Sequence, residues 1–118
     1  MKKVLVVDDD QDILTLVEMV LSMNNFKVEA ISRWEEIAEK IKAFQPDLIL
    51  LDVALMGADG RDICKQIKTA TETKHIPVIL FSAHADVAES LDESMAQGFI
   101  AKPFEISHLV ETLKSNLN

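Results

Sequence analysis

The chain has 118 residues, 48% hydrophobic and 27% charged, which fits one globular domain that buries roughly two-thirds of its unfolded surface. A net charge of −8 argues against nonspecific nucleic-acid binding and against an anionic membrane surface as the default partner. One cysteine, Cys64, excludes an internal disulfide and suits a reducing compartment; no apolar run nears the roughly 18 residues of a membrane helix.

Met1-Lys2-Lys3 leads into too short an apolar run for a signal peptide, so a cytoplasmic location is expected. Val4-Leu5-Val6-Val7 reads as a first strand, followed by Asp8-Asp9-Asp10. Asp10 is placed to cap a helix, with Asp12 in the first turn at the positive end of its dipole. Ile13, Leu14, Leu16, Val17, Val20, Leu21 and Met23 make that helix apolar over a wide arc, so deep burial is expected before Asn24-Asn25 ends it. Residues 27–31 alternate polar and apolar, as an edge strand does. Ser32-Arg33-Trp34-Glu35 has the form of a capping box, and Ile37, Ala38 and Ile41 stripe a second helix. Trp34 is read as half-buried packing.

Leu48-Ile49-Leu50-Leu51 is continuously apolar and stops at Asp52, as in a strand buried on both faces of a parallel sheet. Gly57 and Gly60 punctuate the next loop, and Asp59 caps a third helix carrying Ile63, Cys64 and Ile67. Residues 69–75 read as loop, then Pro77 opens the strand Val78-Ile79-Leu80-Phe81, which ends at Ser82-Ala83. A fourth helix is predicted over 86–97 with Val87, Leu91 and Met95 inward and Gly98 as its stop. Phe99-Ile100-Ala101 is a short fifth strand ended by Lys102-Pro103, and Ile106, Leu109, Val110, Leu113 and Leu117 stripe a final helix.

Five strands alternating with five helices imply a parallel sheet with right-handed crossovers and helices on both faces. The uniformly apolar strands one, three and four belong at the centre, and strands two and five at the edges. The order 2-1-3-4-5 satisfies this: an α/β, flavodoxin-like, doubly wound (βα)5 three-layer sandwich spanning residues 1–118 as one domain. In such sheets ligands bind beyond the carboxyl ends of the strands, at the switch point between strands one and three.

Asp8, Asp9 and Asp52 converge there. Crowded carboxylates repel one another unless a cation intervenes, and an all-oxygen donor set suits Mg²⁺ or Mn²⁺ better than zinc. Ser82 and Lys102 add a hydroxyl and a fixed positive charge on the flanking strands. Acids, a divalent cation, a hydroxyl and a lysine together make a site for a phosphoryl group, attacked by the most central carboxylate, Asp52. Burying three acids without any cation would cost several kcal/mol, so a purely structural role for the set fails. For single residues the plain reading wins: Asp10 and Asp59 as helix caps, and His75, His84 and His108 as surface groups.

Val-Leu-Val-Val-Asp-Asp, Leu-Ile-Leu-Leu-Asp, Phe-Ser-Ala and Lys-Pro-Phe, in this order and spacing, resemble the receiver domain of two-component response regulators, the single-domain chemotaxis type included. The resemblance covers essentially the whole chain. It implies that Asp52 accepts phosphate from a sensor histidine kinase, a phosphotransfer protein or a small phosphodonor. It implies that Asp9, Asp52 and the carbonyl of Ala54 ligate Mg²⁺ directly, with Asp8 acting through water. It also implies that Lys102 contacts the phosphoryl group, that Ser82 moves onto it, that Phe99 turns inward as the switch aromatic, and that Lys102-Pro103 is cis. Departures are Ser82 for the commoner threonine, Phe99 without a hydroxyl, and a loop at residues 55–60 that lacks the usual proline and is therefore expected to be looser. Ala54 and His84 occupy positions that tune phosphoryl lifetime in the family.

Three other readings compete. An aspartate-nucleophile phosphatase of the haloacid dehalogenase type resembles Asp-x-Asp, and here the second acid is Ala54. A flavodoxin-like cofactor protein needs donors after strand one, where Asp8-Asp9-Asp10 would repel a phosphate. A phosphorylation-independent docking module stays open, disfavoured by the intact acid set. The expected switch surface is the fourth helix, fifth strand and fifth helix, whose Asp86, Glu89, Asp92, Glu93 and Glu111 suit a protein partner over DNA. The chain is expected to be a monomer or a weak phosphorylation-dependent dimer. No output domain follows Asn118, so it is expected to be a stand-alone relay, a docking protein or a fragment.

Overall fold

The computed structural model describes residues 1–83 and 91–117, and the backbone alone at Leu91 and Asp92. In chain order the elements are β1 (Lys2–Val7), α1 (Gln11–Met23), β2 (Phe26–Ile31), a 3₁₀ turn (Trp34–Glu36) leading into α2 (Ile37–Phe44), and β3 (Leu48–Asp52). After them come α3 (Gly60–Thr69), β4 (Val78–Ser82), α4 (Leu91–Ser94), β5 (Gly98–Ala101) and α5 (Ile106–Ser115). The five strands form one parallel sheet in the order β2-β1-β3-β4-β5, as expected.

Strand alternation sorts the apolar residues into two cores. Leu5, Val7, Ile49, Leu51, Val78 and Leu80 pack with Ile37 and Ile41 of α2 and Ile63, Cys64 and Ile67 of α3. Val4, Val6, Leu48, Leu50, Ile79 and Phe81 pack with Leu14, Val17 and Leu21 of α1 and Leu109 and Leu113 of α5. A run without polar alternation is therefore what a two-sided central strand requires, and β3 and β4 are buried throughout.

Asp10 caps α1, its Oδ1 accepting from the Asp12 N–H at 2.9 Å, and Asp59 caps α3 through the Arg61 N–H at 2.9 Å. Several expectations need correction. In α1, Leu14, Val17, Val20 and Leu21 are buried, but Leu16 and Met23 are 38% and 78% exposed, because one sheet face is all this helix covers. The capping box does not form. The chain winds first as a 3₁₀ turn whose cap position is Arg33, so Ser32 falls one residue short, and no side chain caps the turn. Ala38 is exposed, and Phe44 completes the α2 stripe instead. Helix α3 extends through Thr69, into the stretch read as loop.

Gly98 does not stop a helix; it opens β5 opposite Ile79, where an added Cβ would come within 3.1 Å of the Ile79 Cδ1. The turn out of α4 is made by Met95, exposed at φ +67° rather than inward. Val87, His84, Asp86 and Glu89 lie outside the described residues, as do the side chains of Leu91 and Asp92. Ile106 is 53% exposed, and Leu117 packs against the core from beyond the end of α5. The sequence reading also missed a short antiparallel pair, Ala54–Leu55 with Ala58–Asp59, folded over the end of β3.

Candidate functional site

Sheet register places the chemistry. Val7 pairs with Leu51, so the next residues on each strand, Asp8 and Asp52, leave the sheet side by side. Asp52 pairs with Phe81 and Ser82 with Ala101, which brings Lys102 to the same rim. Asp8 and Asp52 are buried, whereas Asp9 is exposed. Each of the three offers a carboxylate oxygen within 4.8 Å of those of the other two. Lys102 Nζ donates to Asp8 Oδ2 at 2.8 Å and to Asp52 Oδ1 at 3.2 Å, and it sits 4.4 Å from the centroid of the Phe81 ring. The other Asp8 oxygen accepts from the Asp10 N–H at 2.9 Å.

Burial pushes the Asp52 carboxyl up to about 6; the neighbouring charge of Asp8 adds to the rise and Lys102 opposes it. Burial would lower Lys102, but its hydrogen bond to Asp8 and the charges of Asp52 and Asp8 outweigh that and hold it above its ordinary value. An acid whose folded pKa is raised adds stability below its unfolded pKa and loses it as pH rises through the folded value. In EDTA the wild type should therefore lose stability relative to Asp52→Asn between about pH 4 and pH 6. The gap should reach on the order of 2–3 kcal/mol at pH 7, as read by urea melts of both proteins across that range.

Ser82 is buried at the end of β4, and its carbonyl accepts from the Lys102 N–H at 2.8 Å. Phe99 is half-buried against the α2/α3 core, and Ala54 is exposed two residues past Asp52. The Lys102-Pro103 peptide is cis. His75 and His108 are exposed. Gly60 lets α3 press on the site: its N–H donates to the Val53 carbonyl at 2.8 Å, and a Cβ there would overlap the Asp52 carbonyl oxygen.

Three participants were missed by sequence reasoning. Phe81 looked like ordinary core, and only register reveals it beneath Lys102. The Met56 N–H donates to Asp9 Oδ2 at 3.0 Å, and the Trp34 Nε1–H donates to the Met56 carbonyl at 3.0 Å. Backbone donors leave no signature in side-chain pattern, so the loop expected to be loose is in fact held from both sides.

Three carboxylates and one ammonium leave two negative charges unmatched when all are ionised, and the donors are hard oxygens at a rim partly open to solvent. This donor set fits a divalent cation of the Mg²⁺ type and offers nothing to a soft metal. A concavity of about 1250 Å³ lined by Trp34, Ile41, Ile67 and Ile76 is separate from the acid cluster, and none of its walls carries Asp8, Asp9, Asp52 or Lys102. No helix among the described residues is long and apolar enough to cross a membrane.

Comparison with known proteins agrees with this geometry. The model of the response regulator receiver domain matches residues 4–114. The nisin biosynthesis regulatory protein NisR of Lactococcus lactis is 37% identical over 98% of this chain and 50% of its own length. This chain thus spans about half the length of the curated relatives it matches. A response regulator structure from Chloroflexus aurantiacus superposes with a TM-score of 0.90 at 32% identity, covering 98% of this chain and 96% of the other. Response regulator TrrA of Thermotoga maritima, in complex with Mg²⁺ and beryllofluoride, does so with a TM-score of 0.89 at 27% identity, covering 99% of this chain and all of the other, 100%. With the family model matched over residues 4–114 and the fold shared with these structures, the chain belongs to the receiver domain family of two-component response regulators.

Proposed function

We propose that Asp52 is the phosphoacceptor of this receiver, and that residues 1–118 act as one phosphorylation-dependent switch. The observation that carries this is the single ammonium of Lys102 bonded at once to buried Asp8 and Asp52, with Asp9 alongside. Lys102 holds Asp52 Oδ1, and a carboxylate oxygen of Asp52 attacks phosphorus in line. The phosphorus bond to the donor, a phosphohistidine of a kinase or phosphotransfer protein or a small phosphodonor, breaks as the new P–O bond forms. The electron pair leaves with the donor.

Asp9, Asp52 and the Ala54 carbonyl would hold Mg²⁺, with Asp8 at one remove; Mn²⁺ fits the same donors. When bound, the ion supplies neutralisation of charge on the phosphoryl oxygens. Lys102 supplies the remaining positive charge, and the Ser82 hydroxyl moves to bond a phosphoryl oxygen. Phe99 follows it inward. Water later attacks the phosphorus with support from the same residues, the Asp52 O–P bond breaks, and the carboxylate and inorganic phosphate are released; the chain acts as a phosphoacceptor that resets itself. Modification adds about −1.5 to −2 charge at the rim, and the readout is the surface of α4, β5 and α5. Glu93 and Glu111 are exposed there, which suits a protein target over nucleic acid or a membrane. The setting is cytoplasmic, and the protein is a monomer or a weak phosphorylation-dependent dimer.

Beryllofluoride with Mg²⁺, added during amide NMR, tests this reading. Expected are shifts at Asp52, Ser82, Phe99 and Lys102 that continue along β5 and α5. No shifts, or shifts scattered over unrelated surface, would reject it.

A further inference from the structure

We infer that Trp34, which lies outside the carboxylate cluster, is a positioning residue for its cation affinity, acting through Met56 on Asp9. The inference rests on the reading of Asp9 as a cation ligand and adds a control on it.

Asp9 is exposed, unlike Asp8 and Asp52, so burial does not fix its side chain. Among the described residues, what holds it is one hydrogen bond, from the Met56 N–H to Oδ2 at 3.0 Å, with Oδ1 carrying none. Met56 in turn lies at the tip of the short antiparallel pair, between Leu55 and Ala58. Its side chain is 81% exposed, and Gly57 follows at φ +86°, a conformation that leaves the peptide easy to reorient. The opposite side of the same residue is pinned by the indole of Trp34, whose Nε1–H donates to the Met56 carbonyl at 3.0 Å. Trp34 itself is packed against the α2/α3 core, which anchors the indole that donates to Met56. The order of support therefore runs from core to indole to loop amide to carboxylate. Partners of this kind orient metal ligands and set affinity without touching the ion.

Two consequences follow. Removing the indole N–H while keeping an aromatic ring frees the Met56 peptide, and Asp9 loses its fixed orientation. One neutral hydrogen bond corresponds to roughly a 2- to 10-fold change in an equilibrium constant, so the Mg²⁺ Kd of Trp34→Phe should rise by about that factor. Linkage is reciprocal, so cation uptake must be felt at the indole. Trp34 is the one tryptophan of the chain, which makes its signal unambiguous.

The experiment is calorimetric titration of Mg²⁺ into wild type, Trp34→Phe and Asp9→Asn, with thermal melts in EDTA and ¹H–¹⁵N spectra of the wild type. Support is a 2- to 10-fold weaker Kd in Trp34→Phe, together with a wild-type indole cross-peak that moves with the same midpoint as the Met56 amide. A Kd unchanged in Trp34→Phe, with the wild type binding and Asp9→Asn impaired, overturns this inference and leaves the cation reading intact. No binding by wild type, or full binding by Asp9→Asn, overturns the cation reading and this inference with it. Should Trp34→Phe melt too low to titrate, the wild-type indole decides: a cross-peak that stays fixed through saturation overturns the proposal.

Discussion

Asp52→Asn should reduce acyl-phosphate formation to background when the protein is incubated with Mg²⁺ and acetyl phosphate, as read by intact mass spectrometry. The carboxamide keeps the volume and one oxygen acceptor but has no anionic oxygen to attack phosphorus. The choice among three neighbouring acids is a matter of where each one stands and what holds it. Asp8 has both committed, Oδ1 to the Asp10 N–H and Oδ2 to Lys102, so it is held as a structural anion. Asp9 faces solvent at the edge and is turned by the Met56 N–H. Asp52 stands on the central strand, its Oδ1 accepting from Lys102. Its raised pKa of about 6 still leaves it ionised in most molecules at pH 7. Asp8→Asn and Asp9→Asn should therefore slow labelling by weakening cation support, yet leave the modified position at Asp52. Labelling that persists in Asp52→Asn would show that the wrong acid had been chosen.

How much of this was legible in the sequence depended on whether a feature is local in pattern or local in space. The four apolar strand segments each end at a polar residue, and the period-one burial of β3 and β4 ordered the sheet without any long-range information. Once that order was fixed, Asp8, Asp52, Ser82 and Lys102 had to meet, because parallel register advances all strands in step. What stayed hidden needed a distance. Met56 binds Asp9 with its backbone, 47 positions away, and no residue type announces that. The Trp34 indole was read as packing, which is correct for its ring and silent about its N–H. The capping box failed for a different reason: Ser32 and Glu35 satisfy a spacing that only an α-turn uses, and the chain opens there with a tighter one. Helix α1 misled through composition, since Leu16 and Met23 are apolar but exposed.

Lys102→Met should destabilise the protein in EDTA by about 3–5 kcal/mol, the usual effect of removing one partner of a buried ion pair. Methionine preserves the unbranched stem and its contact with the Phe81 ring, so little of the loss is packing. The loss comes from Asp8 and Asp52, both buried, which then face each other with no ammonium between them. Protonation offers a partial escape. Lys102 is what opposes the rise in the Asp52 pKa, so its removal drives that pKa further up and makes the metal-free variant more stable at pH 5 than at pH 7. A divalent cation offers a second escape, since it brings the missing charge to the same oxygens. Millimolar Mg²⁺ should accordingly raise the urea midpoint of Lys102→Met by more than it raises that of wild type. Adding Asp8→Asn to Lys102→Met should recover part of the lost stability, because the two sites share one hydrogen bond and cannot be additive. Paired urea melts in EDTA and in Mg²⁺, at pH 5 and pH 7, distinguish this from simple loss of packing, for which neither protons nor Mg²⁺ would narrow the gap to wild type.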